Sequence, residues 1–151
     1  MPNNVPLSEG TRKLLDQAQT EARALNQEFV GTEHLMLAIL QVSGTHAQRV
    51  LRQHHVDKDA VRSQLLSVLP YSESAPVVTG NLPLSPKAQR TLNSALVMSR
   101  SLREPKLSTR VMLLALMDEP KTALIDALRN TGIDVDELLR ALAETPTEAE
   151  A

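Results

Sequence analysis

The chain of 151 residues has no cysteine and no tryptophan, and its only aromatic residues are Phe29 and Tyr71. Without thiols there is no disulfide framework and no thiolate metal site, which fits a reducing compartment. Without aromatic platforms there is nothing on which bases could stack. A strong charge of one sign is also missing. The formal net charge is −2, so the chain offers no basic field to a phosphate backbone, and no nucleic-acid partner is expected. No apolar run reaches the roughly 20 residues of a membrane span. The start, MPNNVPLSEG, lacks the apolar stretch of a signal peptide. No membrane partner is expected either.

Catalytic signatures are equally sparse. The five glycines are scattered, and none opens a phosphate-cradling GxxxxGK[ST] loop. Of the four histidines, His54 and His55 are adjacent and would point about 100° apart on a helix. His34 and His46 have no partner four residues away, so no metal site is predicted. There is no nucleophile elbow for a Ser–His–Asp hydrolase. Asp57 and Asp59 stand at a helix start, where carboxylates cap and offset the helix dipole. The expectation is a protein without catalytic residues, metal or cofactor.

What the chain does have is aliphatic mass. Apolar residues make up 42% of it, enough for one domain with a real core. That core must be built from Leu, Ala, Val, Ile and Met, a set that favours helices over strands.

It also has a repeat. Residue 8 laid over residue 85, a shift of 85 − 8 = 77, brings LSEGTRKLLDQAQTEARALN over LSPKAQRTLNSALVMSRSLR. Leu15 meets Leu92, Ala18 meets Ala95 and Arg23 meets Arg100. Without a gap, Thr32 then meets Thr109, Leu51 meets Leu128, and Asp57 meets Asp134. Small and polar residues match as well as leucines, so the chain is an internal duplication.

Each copy reads as four helices. Ser8 and Ser85 cap the first helix, and Pro86 takes a position where its missing N–H costs nothing. Apolar stripes follow at Thr11, Leu15, Ala18, Ala22 and Leu25, and at Ala88, Leu92, Ala95, Ser99 and Leu102. The second helices, HLMLAIL and VMLLALM, are apolar all round and so must be surrounded; Thr32 and Thr109 are their expected caps. Asp57 and Asp134 start the fourth helices, the latter with Glu137 completing a capping box. The prediction is an all-α fold of eight helices in two pseudo-symmetric four-helix repeats. It spans residues 1–151 as one domain. Repeat one covers about 7–69, a Pro- and Gly-bearing linker 70–83, repeat two about 84–145 and an acidic tail 146–151. His34–Leu40 and Val111–Met117 should be the most buried segments and the linker the most mobile.

The phrase FVGTEHLMLAIL puts a carboxylate and a histidine at the door of the first buried helix. Glu33 suits a helix start, but the repeat supplies a control. The second copy keeps Thr109 and replaces the carboxylate by Arg110. The fold therefore tolerates other residues there, which points to a functional Glu33.

The duplicated motif, LSEGTRKLLDQAQTEARALNQEFVGTEHLMLAIL and then LSPKAQRTLNSALVMSRSLREPKLSTRVMLLALM, resembles the N-terminal repeat domain of the Clp family of AAA+ unfoldases. GTEH looks most like the ClpC branch. The resemblance covers about residues 5–145. It implies a non-enzymatic receptor that binds adaptor proteins, unfoldase or protease subunits and client proteins; the missing signal peptide and membrane span make a cytoplasmic or stromal location the expectation. It also implies phospho-arginine recognition, with one site per repeat. The glutamate of GTEH would meet the guanidinium, and a hydroxyl before the first helix would meet the phosphate. Carried onto this chain, the first site is Ser8, Thr32 and Glu33. In the second, Ser85 and Thr109 remain, but Arg110 would repel a guanidinium, so that site is altered or lost. Arg110 is then either an exposed residue paired with Asp118 or Glu104, or part of a plain anion site. ATPase modules are absent from the chain. The resemblance leaves open a receptor domain of a longer unfoldase, or a stand-alone accessory or decoy that binds Clp components without delivering clients.

Overall fold

The computed structural model describes residues 5–74, 79–118 and 123–144. These form eight helices and no strand: α1 (Glu9–Ala24), α2 (Thr32–Gln41), α3 (His46–Gln53), α4 (Lys58–Val68), α5 (Pro86–Ser101), α6 (Thr109–Met117), α7 (Ala123–Asn130) and α8 (Val135–Glu144). A shift of 77 carries α1 onto α5 and α3 onto α7 at both ends, and carries α2 and α4 onto α6 and α8 to within one residue. The duplication read in the sequence is thus a duplication of helices in the same order.

The core is aliphatic, as the shortage of aromatics requires. Every residue from His34 to Leu40 is buried, and Val111–Met117 is buried apart from the half-buried Leu114. α2 and α6 pack on each other at the centre, with α1 laid on α2 and α5 on α6. The buried stripe of α1 runs through Thr11, Leu14, Ala18, Glu21 and Ala22, and that of α5 through Ala88, Thr91, Ala95 and Ser99. Leu15 and Leu92 are half-buried flanks of these stripes, and Leu102, expected on the buried face, is exposed. It is the α5 C-cap, and the next residue, Arg103, takes a positive φ of 56° that turns the chain away.

The halves are stitched together by two isolated parallel bridges, Leu7 to Leu107 and Val30 to Leu84. Each is the image of the other, since 7 + 77 is 84 and 30 + 77 is 107. The segment before α1 pairs with the segment before α6, and the segment before α5 pairs with the segment before α2. Ser8 N–H donates to the Leu107 carbonyl (3.0 Å) and Leu107 N–H to the Pro6 carbonyl (2.8 Å). In the mate, Ser85 N–H donates to the Val30 carbonyl and Val30 N–H to the Pro83 carbonyl, both at 2.9 Å. This exchange is the pseudo-twofold relation expected of the repeats.

Of the connector, residues 75–78 lie outside the described residues. The rest is tied to the end of α1 and the loop after it. Ser72 N–H donates to the Leu25 carbonyl, Gln27 to the Pro70 carbonyl, and the Gln19 amide group exchanges two hydrogen bonds with the Leu82 backbone. The acidic tail also falls outside the described residues.

The starts of α2 and α6 differ from expectation by one residue. Gly31, not Thr32, is the α2 N-cap, and Ser108, not Thr109, caps α6 through Val111 N–H. Glycine has no side chain with which to cap, so His34 bends back and its Nδ1 accepts from Gly31 N–H at 2.8 Å. His34 is 5% exposed. Burial pushes its pKa below the usual 6.5, while the charges of Glu33 and Glu21 pull the other way. As pH falls below 6.5 the unfolded chain takes up a proton at His34 and the folded chain does not, so stability falls until the lowered folded pKa is passed and is flat above 6.5. A urea titration series should show this step in the native chain and not in His34→Asn, which keeps an acceptor but cannot be protonated, so the difference in stability between the two should carry the step.

Candidate functional site

The α2 N-terminus is a crowded corner. The Glu33 carboxylate lies so close to Gly31 that a Cβ there would sit 3.2 Å from Glu33 Oε2 and 3.6 Å from His34 Nδ1. The φ of Gly31 is −95°, open to any residue, so space rather than backbone conformation explains this glycine. Thr32 Oγ1 donates to Glu33 Oε2 at 3.3 Å. The carboxylate is therefore steered from two sides, beside free amides of the first turn and the positive end of the helix. Glu33 remains partly exposed, as does Thr32.

Ser8 is not at this corner. It caps the far end of α1, whereas the α2 start lies beside Glu21, whose charge acts on His34. Thirteen residues of helix separate Ser8 from Glu21, about 20 Å at 1.5 Å per residue. Ser8 is also buried. Its Oγ accepts from Thr11 N–H and donates to Thr11 Oγ1, which in turn donates to the Leu107 carbonyl. The residue that the fold brings beside the Glu33 corner is Ser85, through its hydrogen bond to Val30. Ser85 caps α5 by accepting from Ala88 N–H at 3.0 Å and stays half-buried. The expected grouping by repeat is thus replaced by a crossed one: Glu33 with Ser85, and Ser8 with the start of α6.

This crossing was hidden because sequence spacing relates residues within a copy. Only the bridges reveal that each pre-helix segment pairs with the other copy. The signal that could have found it was the matched pair of segments VPL and LPL ahead of the two capping serines, extended stretches with no partner inside their own repeat.

The second corner is closed. Arg110, expected to be exposed or to join an anion site, is 2% exposed. It is ion-paired with Glu104, one of the two acids anticipated, and donates to the Leu142 carbonyl at the end of α8. Arg110 is buried and the Glu104 side chain is only 9% exposed, so the Arg110 charge is directed inward and balanced within the second half. Thr109 is fully buried and accepts from Ala47 N–H at 3.0 Å, joining α6 to α3 of the other half. None of Ser8, Thr109 and Arg110 faces solvent. The start of α6, where the site was expected to be altered or lost, is closed, and the start of α2 is the open corner.

Among the described residues, no group of three or more His, Asp or Glu side chains could hold a metal ion. No described helix is long and apolar enough to cross a membrane.

Comparison with known proteins agrees with this architecture. The ClpA homologue of the ATP-dependent Clp protease ATP-binding subunit from Cyanidium caldarium is 29% identical over 137 residues, covering 88% of this chain but 16% of its own length. The chain therefore spans about one-sixth of such a relative. The Hsp104 N-terminal domain of Candida albicans superposes with a TM-score of 0.76 at 14% identity, covering 92% of this chain and 90% of its own. The ClpV N-domain, solved in complex with a VipB peptide, superposes with a TM-score of 0.71 at 22% identity, covering 91% and 85%. Residues 6–131 match the model of the Clp repeat (R) N-terminal domain family, and the chain belongs to that family.

Proposed function

We propose that this domain is a non-catalytic receptor that captures client or adaptor polypeptides for a Clp-type unfoldase–protease system. The carrying observation is the open corner at Glu33, set beside Ser85 of the other half, in a fold with no catalytic constellation among its described residues. The ClpV N-domain, which shares the fold, binds a VipB peptide, and that precedent supports peptide capture here. The GTEH form supports a place near the ClpC branch, and with it a phospho-arginine ligand. A carboxylate can hold a guanidinium through two parallel hydrogen bonds, a geometry that lysine does not offer. The phosphate would lie toward Ser85 and the first-turn amides, where a helix start favours an anion.

Calorimetric titration with free phospho-arginine should then give one site. Glu33→Ala should abolish it and Ser85→Ala weaken it, while Ser8→Ala should leave affinity unchanged. Two equal sites, or binding that survives Glu33→Ala, would overturn this reading. Gly31→Ala should fold and yet bind more weakly by several-fold, because the added methyl displaces the Glu33 carboxylate.

The closed corner makes a separate prediction. Glu104→Ala leaves Arg110 buried without its carboxylate and should cost about 3–5 kcal/mol in chemical denaturation. The double variant Glu104→Leu with Arg110→Met should recover most of that loss, and phospho-arginine affinity should be untouched in the double variant.

A further inference from the structure

Each half contains a pocket at the end of its central helix opposite the N-terminal corner. In the first half, about 290 Å³ is enclosed by Leu40 of α2, Gln48, Leu51 and Arg52 of α3, and Val56 to Lys58 leading into α4. In the second, about 390 Å³ is enclosed by Met117, Asp118, Ile125, Arg129, Val135, Asp136 and Leu139. A shift of 77 lays Leu40 on Met117, Gln48 on Ile125, Arg52 on Arg129 and Lys58 on Val135. The hollow is thus a product of the repeat, formed where α2, α3 and α4 meet.

The two pockets occupy corresponding places in the repeat, and among their described lining residues the balance of charge is opposite. The first presents two cations, Arg52 and Lys58, against one carboxylate, Asp57. That carboxylate caps α4, accepting from Asp59 N–H at 3.1 Å and Ala60 N–H at 3.2 Å. Among the described residues neither Arg52 nor Lys58 has an ion-pair partner, and both are exposed. The floor beneath them is aliphatic: Leu40, Leu51 and the half-buried Val56. The second pocket sets one cation, Arg129, against two carboxylates, Asp118 and Asp136, over a floor that is apolar throughout.

An aliphatic floor rimmed by two unpaired cations is complementary to an apolar side chain that carries a carboxylate next to it. The space suits one such unit, near the lower end of ligand-pocket sizes. A polypeptide's last residue joins the two features on one carbon: an aliphatic side chain and the α-carboxylate. We infer that the first-half pocket binds the C-terminal end of a polypeptide whose last residue is aliphatic. The side chain lies on Leu40, Leu51 and Val56, and the carboxylate lies between Arg52 and Lys58. The second-half pocket, with its excess of carboxylates, does not take this ligand. The site stands apart from the Glu33 corner, about 10 Å along α2 from it, since seven residues separate Glu33 from Leu40.

The test is a two-dimensional ¹H–¹⁵N NMR titration of the whole chain with the hexapeptide Gly-Ser-Gly-Ser-Leu-Leu. The free-acid peptide should shift the amide signals of Leu40, Leu51, Arg52, Val56 and Lys58. The same peptide with an amidated C-terminus should bind at least about tenfold more weakly. Arg52→Glu combined with Lys58→Glu should abolish binding while leaving the circular dichroism spectrum unchanged, because both side chains are exposed. Arg129→Glu should bind as the native chain does. Glu33→Ala should also bind the peptide unchanged, so failure of the phospho-arginine reading and failure of this one are told apart. The inference is overturned by shifts confined to the second-half pocket, by equal affinity for the amidated peptide, or by no shift in these signals at millimolar peptide. Equal affinity for an amidated peptide with an internal Leu-Glu pair would overturn the assignment to a chain end.

Discussion

The crossed pairing of the pre-helix segments is the constraint from which the rest of the structure follows. Two bridges, Leu7 to Leu107 and Val30 to Leu84, are small as secondary structure. They satisfy backbone groups that would otherwise be buried without partners, since Leu107 and Val30 are both buried. They also fix which half faces which helix start. With the pairing crossed, the start of α2 sees the cap of α5, and the start of α6 sees the cap of α1. Each helix start is capped from its own repeat but flanked by a segment of the other, so the open corner at Glu33 is formed by both halves. A single copy would leave α2 or α6, apolar on all sides, without cover.

The duplication then allowed the halves to diverge, and their buried charges record how. In the first half Glu21 is buried on α1, where it accepts from Gln17 and pairs with Arg62 of α4 at 2.9 Å. The equivalents of Glu21, Arg62 and His34 are Met98, Leu139 and Val111, all three apolar. In the second half the ion pair is elsewhere, between Arg110 and Glu104, at positions held in the first by Glu33 and Gln27. Removing a buried charge together with its partner costs little, whereas removing one partner costs a great deal. Such pairs therefore come and go as units, and each half holds one in a place the other has made apolar or left open.

Much of the fold was legible because periodicity survives duplication. The 77-residue register, the serine caps at Ser8 and Ser85 and the burial of His34–Leu40 all follow from spacing within one copy. Spacing carries no information about contacts between copies. The resemblance grouped Ser8 with Glu33 within one copy, whereas α1 carries the chain about 20 Å from Ser8 to Glu21, the residue whose charge acts on the α2 start. It also left Arg110 either exposed or in an anion site, because a cation at a helix start is ordinarily solvated there. The carboxylate that draws it inward, Glu104, lies only six residues away, but its burial depends on the end of α8 closing over it.

The same divergence explains why one domain has one open corner and not two. At the α2 start, Gly31 makes room for the carboxylate of Glu33, and His34 supplies the cap that glycine lacks. These three residues act as a set. A side chain at position 31 would crowd the carboxylate, and loss of the histidine would leave an amide unpaired. In the second copy all three are replaced together, by Ser108, Arg110 and Val111. Serine can cap by itself, which frees the position after Arg110 to become apolar and sink into the core. Once Ser108 caps, the histidine has no structural duty, and once Arg110 turns to Glu104, no carboxylate remains for a cationic ligand to meet. The open and the closed corner thus differ by a matched set of residues at neighbouring positions, each set complete in its own cap and its own charge partner.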